Sequence, residues 1–342
     1  MVYLSLAMVA VLTGSSGPTW FKLMGSDPGP FVKVHWRMTL TALIQAPLAF
    51  FQLYNLEREK RKTVLSQLPR LVFPVGVCLS LHFACVVYSV STTSFAHAIA
   101  TINTAPLFFT AFFLLRHLAS LFSQRYMASG LIGVKGSGGE ALSSPTFLDP
   151  SRSPPPSLLE GSGALLAFCG VCALVSLDSA SSDLPVTLGG DVVGCMASLF
   201  MALYLYGGRR RGDTPLFAWM FPLHVCASAI SGALALVTGG SVGGGDGLLG
   251  WTVSQNAFGA TLGSAVVPSL VAHSLINFLT TPGILSPFIV AMILNLQPIS
   301  GNVIAWAVGL QGQPSLLSLC FVPLIVLGLL LSTWGKQSVG SK

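Results

Sequence analysis

Apolar runs close to 20 residues long alternate with short polar stretches along most of the chain. They fall near 2–21, 31–53, 71–92, 95–115, 163–180, 189–207, 215–238, 260–279, 283–305 and 314–334. About 20 apolar residues in an α-helix cross the hydrocarbon core of a bilayer, so the pattern predicts ten membrane-spanning helices. The third and fourth runs almost touch, and a tight turn at 92–94 must separate them. The first run has no charged leader or cleavage site before it and reads as a retained span. Two stretches do not fit a compact bundle. Residues 119–162 are rich in Gly, Ser and Pro, a composition that cannot bury a core. Residues 239–263 form a Gly-rich connection without a phosphate-binding motif.

Within this pattern one short signature occurs twice. The fourth run, FAHAIATINTAPLFFTAFFLL, carries Asn103 and Pro106 near its middle. The ninth, SPFIVAMILNLQPISGNVIAW, carries Asn295 and Pro298 at the same spacing, each proline followed by an apolar residue. A polar amide and a helix breaker are both costly inside a membrane, so their recurrence suggests a duplicated unit. Ten spans divide into five plus five. An odd repeat places the second copy upside down, an arrangement typical of secondary transporters. The expected fold is therefore all-α and polytopic, with ten transmembrane helices in two inverted five-helix repeats. Residues 1–118 hold spans one to four, 119–162 a disordered cytosolic insertion, and 163–180 span five. Residues 181–335 form the second repeat and 336–342 a cytosolic tail.

Composition and charge sharpen this reading. The 342 residues are 52% hydrophobic and only 8% charged, against roughly 25% charged in soluble domains. The net charge of +6 comes from basic residues in loops, not from an aromatic-interleaved patch, which argues against nucleic acid. Arg58, Lys60, Arg61, Lys62 and Arg70 follow the second run; Arg116, Arg125, Lys135 and Arg152 the fourth; Arg209, Arg210 and Arg211 the sixth; Lys336 and Lys342 the tenth. The other side carries Asp27, Asp178, Asp183, Asp191 and Asp246, with Lys22 and Lys33. The positive-inside rule then puts both termini in the cytosol. All seven cysteines lie in apolar runs. Cys169-x-x-Cys172 lacks a redox or zinc context, and the cysteines read as small packing residues.

No catalytic set emerges, and neither a metal nor a cofactor is expected. The histidines are scattered, and no carboxylate sits at mid-span. The chain does not read as an enzyme. Polar groups inside a span usually face the bundle interior. Asn103 and Asn295 offer donors and acceptors to a substrate, or else an interhelical hydrogen bond. Gln297 and Asn302 extend the polar face of the ninth span. His97 precedes Asn103 on its face and reads as a structural hydrogen-bonding residue, the alternative being proton coupling through His97 or His82. Pro106 and Pro298 free a carbonyl one turn back and act as hinges. Arg37 either snorkels to headgroups or points inward to an anionic group or helix end. Trp20, Trp36 and Trp334 suit an interfacial aromatic belt.

Trp20 and Lys22 closing the first span, Pro28 or Pro30, Arg37 early in the second, the Pro-centred helix at 94–115, the ninth span at 286–309 and the closing LIVLGLLL occur in a telling order. In that order the chain resembles the drug/metabolite transporter superfamily, in particular its EamA-like branch. The resemblance covers nearly everything except 119–162 and 239–260. It implies a central cavity lined by spans one to four and six to nine, with five and ten outside, and alternating access about it. Relatives move amino acids, purines, small metabolites, nucleotide sugars or sugar phosphates. The chain departs from the family where an acidic residue commonly follows the fourth and ninth spans: here stand Arg116-His117 and Gln311-Gly312-Gln313. Residues 216–335 contain no Lys or Arg. A small neutral or zwitterionic metabolite is therefore expected, ahead of nucleotide-sugar or sugar-phosphate antiport. The competing class is a non-transporting membrane scaffold that docks a partner through the Pro-rich SRSPPPS. Expected partners are a small-molecule substrate and membrane lipids, with a homodimer allowed.

Overall fold

The computed structural model describes residues 2–128, 157–178 and 184–340. Among these residues there are helices and turns but no strand. The helices are α1 (Val2–Gly14), α2 (Gly17–Leu23), α3 (Pro30–Tyr54), α4 (Arg58–Thr92), α5 (Phe95–Ile102), α6 (Ala105–Ala128), α7 (Leu158–Asp178), α8 (Leu188–Gly208), α9 (Leu216–Val237), α10 (Gln255–Ser264), α11 (Ser274–Leu279), α12 (Pro287–Leu294), α13 (Gln297–Ala307), α14 (Leu316–Leu319) and α15 (Val322–Gly340). A π-helical stretch, Ala265–His273, joins α10 to α11. Nine helical stretches among the described residues are long and apolar enough to cross a membrane. The protein is an all-α polytopic membrane protein. Helix α3 is long enough to be a tenth, but Lys33, His35, Arg37 and Gln45 lower its apolar character.

Local chemistry sets several boundaries. Ser157 and Glu160 form a capping box: the Ser157 N–H donates to Glu160 Oε2 at 2.6 Å and the Glu160 N–H to Ser157 Oγ at 3.2 Å. This reciprocal cap satisfies two orphan N–H groups and starts α7 before the expected 163. The basic stretch after α3 is not a loop. It forms the first turns of α4, with exposed Lys60–Glu57 and Lys62–Glu59 pairs along it. At 35 residues and 1.5 Å per residue, α4 is about 50 Å long, so its basic start extends beyond a bilayer core. Helix α6 continues to Ala128. Most of the expected insertion, 129–156, lies outside the described residues. At the other end α15 continues through the expected tail to Gly340.

Long antiparallel pairs build the bundle. In one, α3 packs on α9: His35 Nδ1 lies 3.0 Å from the Ser228 carbonyl, and Gln52 Oε1 accepts from the N–H groups of Phe217 and Ala218 at 2.8 and 3.1 Å. Gln52 thereby satisfies donors at the start of α9 that have no partner in their own helix. In the second, α4 packs on α8, with Thr93 Oγ1 donating to Asp191 at one end and His82 Nδ1 2.8 Å from the Ala197 carbonyl at mid-length. Small residues allow α7 to cross α15, where Gly163, Gly170 and Gly328 bring the backbones together. Helix α1 packs against the 265–279 stretch. These pairings gather the start of α4 and Arg209, Arg210 and Arg211 at one end of the bundle. The start of α8, with Asp191, is at the other.

One anchor differs from expectation. Trp36 is fully buried and donates to the Gly247 carbonyl at 2.9 Å, tying α3 to the Gly-rich connection. The 239–263 stretch folds back over α3 and removes Trp36 from any lipid interface. Trp334 is exposed. Of the cysteines, Cys78 is buried whereas Cys169, Cys172 and Cys320 are on the exposed surface, so only some of them pack inside.

Candidate functional site

Three helical stretches are interrupted at the middle of the bundle. Helix α1 stops at Gly14 and α2 starts at Gly17. Helix α5 stops at Ile102, with Asn103 as its C-cap, and α6 starts at Ala105. Helix α12 stops at Leu294, with Asn295 as its C-cap, and α13 starts at Gln297. Pro106 and Pro298 therefore sit just inside the second half-helix. There a missing N–H costs nothing and the fixed φ suits the first turn. A fourth stretch changes geometry without stopping: Pro268 lies in the π-helical segment, where it removes one N–H from the ladder. Irregular backbone at membrane depth survives where protein or a cavity surrounds it, and here it does.

A cavity of about 60 Å³ lies among these interruptions. Ser15 lines it from the α1–α2 break, Phe21 from α2, Arg37 from α3, His82 and Phe83 from α4, and Asn103 from the α5–α6 break. Met201 contributes from α8, His273 from the π-helical segment, and Leu294 and Gln297 from the α12–α13 break. Ser300 Oγ donates to Ser15 Oγ at 2.9 Å, so α13 is stitched to the α1–α2 break. Gly14 lets the Gln297 amide approach the end of α1: a Cβ there would sit 2.5 Å from Gln297 Nε2. In this conformation the cavity has room for only a few water molecules.

Arg37 is the charged member of the lining and is 1% exposed. Its Nε donates to Ser269 Oγ at 2.6 Å. The guanidinium lies 4.0 Å from the centre of the Phe83 ring and 5.1 Å from that of Phe21. Nη1 and Nη2 have no hydrogen-bond partner among the described residues. Among the described residues no Asp or Glu lines the cavity. Beside it, Tyr204 OH accepts from Asn277 Nδ2 and lies 3.4 Å from His273 Nδ1.

The residues singled out in the sequence separate into two groups. Arg37, Asn103 and Gln297 meet at the cavity. Asn103 also donates to the Ile99 carbonyl at 2.8 Å, which holds its side chain against α5. Asn295 and Asn302 are buried but do not line the cavity. Among the described residues Asn295 Oδ1 and both side-chain amide atoms of Asn302 lack partners. His97 is away from the cavity: its Nδ1 is 3.2 Å from Asp191 Oδ2, in a cluster with Thr93 that joins the α4–α5 turn to α8. His82, a proton-coupling candidate in the sequence beside His97, meets His273 here; the two lie 191 positions apart with no motif between them, and the sequence does not single out His273. The signal available was that each is an ionisable group in a predicted span, which marks an interior-facing position. Among the described residues no cluster of His, Cys, Asp or Glu fits a metal ion.

The fold matches 28 solved chains. One, a protein crystal structure, superposes at a TM-score of 0.66 with 15% identity, covering 97% of each chain. That likeness shows the fold alone. No protein-family model matches the sequence, and no curated protein matches it.

Proposed function

We propose that the protein is a secondary transporter of a small metabolite, built as ten spans in two inverted repeats and working by alternating access. In this reading α3 is the second span, and its polar residues turn inward. The observation that carries the proposal is the convergence of the broken helices on one mid-bundle cavity holding Arg37, Asn103 and Gln297. Discontinuous helices that meet near the midplane are how secondary transporters build substrate sites.

The packing supports the repeat. If each span is matched to the one five places on, α3·α9 and α7·α15 are pairings of equivalent spans. The α4·α8 pair then corresponds to the packing of the 265–279 stretch on α1. The breaks at Asn103 and Asn295 fall at equivalent places in spans four and nine. The basic end of the bundle would face the cytosol, with both termini on that side. The resemblance to EamA-like drug/metabolite transporters points the same way.

The scaffold reading has one observation in its favour: the cavity is small and walled by Phe21 and Phe83. A transporter in a narrow conformation would look the same, but it must widen when substrate enters. The test is a thermal-stability screen of purified protein against amino acids, nucleobases, sugars and sugar phosphates, with wild type beside Asn103→Ala. The transporter reading expects specific stabilisation that Asn103→Ala weakens. A folded protein that responds to no compound class would shift the assignment to the scaffold.

A further inference from the structure

We propose that the Arg37 guanidinium is the anchor for a carboxylate, and that the substrate is a small molecule carrying one such group. This rests on the transporter reading and names the chemistry of its site. The guanidinium is a planar fork of five N–H donors that matches a carboxylate bidentately. In this protein Nε is used by Ser269, and the paired nitrogens Nη1 and Nη2 are buried without partners. Arg37 itself lines the cavity, whose lining among the described residues has no acidic side chain. A cation buried in a membrane bundle is ordinarily paired with a neighbouring acid or with backbone carbonyls. The unpartnered side of Arg37 is where a ligand anion completes the set.

The walls narrow the class. Phe21 and Phe83 flank the guanidinium with their rings, so bulk water is kept from it and the charge is strongly felt. One cation balances one negative charge. A phosphate monoester, near −2 at neutral pH, would leave a net negative charge that no second Lys or Arg among the described lining residues neutralises. A neutral metabolite would leave Arg37 unpaired. The remaining polar lining, Asn103, Gln297 and the two imidazoles, suits the neutral or ammonium part of the molecule. The absence of Lys and Arg from 216–335 then acts as a filter against multiply charged anions, while the first half supplies the single cation needed.

The experiment uses the full-length purified protein and a panel of matched pairs. Glycine, leucine, phenylalanine, lactate and benzoate are each compared with the corresponding primary amide, with inorganic phosphate and glucose 6-phosphate alongside. Affinity is read from the concentration dependence of thermal stabilisation. At least one acid should stabilise wild type and bind about 30-fold more tightly than its amide, the lower end for losing one partner of a buried charge pair. Arg37→Gln should remove that preference, and Arg37→Lys should restore part of it. The acid-against-amide comparison in wild type stands even if a variant fails to fold. Equal binding of acid and amide, stabilisation by phosphates only, or an acid preference that survives in Arg37→Gln would overturn the carboxylate anchor and leave the transporter reading in place. No binding in this panel with binding of nucleobases or sugars would do the same. No binding of any class would overturn both.

Discussion

Arg37→Met should stabilise the fold while it removes the response to ligand. The guanidinium is 1% exposed, and Nη1 and Nη2 are unsatisfied. Two orphaned donor groups cost about 2–6 kcal/mol together, and holding an unpaired ion out of water costs several more. Methionine loses the hydrogen bond to Ser269 and the two ring contacts, worth about 3–5 kcal/mol together. Its thioether regains part of the aromatic contact in nearly the same volume. Replacing buried ionic groups with apolar ones of similar size commonly gains about 1–4 kcal/mol, and the balance here falls in the same range. The assay is thermal unfolding in detergent, without ligand and with the acids of the matched panel. The expected result is an apparent Tm several degrees above wild type and no shift on adding acid. A Tm several degrees below wild type would refute the reasoning, because the guanidinium would then hold the bundle together instead of waiting for a ligand.

Further expectations concern the scaffold around the site. Gly163→Leu should lower the apparent Tm by several degrees and weaken the α7–α15 pair. A Cβ at that position would lie 2.5 Å from the Gly328 carbonyl oxygen and 2.8 Å from the Ser332 nitrogen, and overpacking of this kind costs about 1–3 kcal/mol or more; circular-dichroism melting would measure it. Gln52→Leu uncovers two N–H groups at the start of α9 and should cost about 1–2 kcal/mol, read in the same melt, with ligand affinity unchanged. For topology, a cysteine-free background would carry Lys60→Cys or Val253→Cys, at positions 71% and 65% exposed. In the plasma membrane of a host cell, an impermeant maleimide should label Val253→Cys from outside and Lys60→Cys only after permeabilisation.

Helix positions were largely legible in the sequence because apolar run length is set by bilayer thickness. The run at 95–115 became α5 and the start of α6, and 283–305 became α12 and α13. The N-x-x-P signature marked where both helices break, since asparagine tolerates a cap and proline starts a new turn. Boundaries moved where polar chemistry extended a helix past its apolar core, as the Ser157–Glu160 cap did for α7 and the Lys–Glu pairs do at the start of α4. The site was less legible. Asn103 and Gln297 meet Arg37 there, but Asn302 turns elsewhere and His97 is drawn to Asp191. Which face of a span points at a cavity depends on neighbours distant in sequence. His273 reaches the site from the end of a π-helical segment, and an apolar run does not record that change of phase.

The most direct test of the account is uptake into proteoliposomes of a radiolabelled acid that stabilises the purified protein. The account predicts saturable uptake, acceleration when the same acid is loaded inside, and loss of both in Arg37→Gln. Tight binding of that acid without any flux across the bilayer would contradict it.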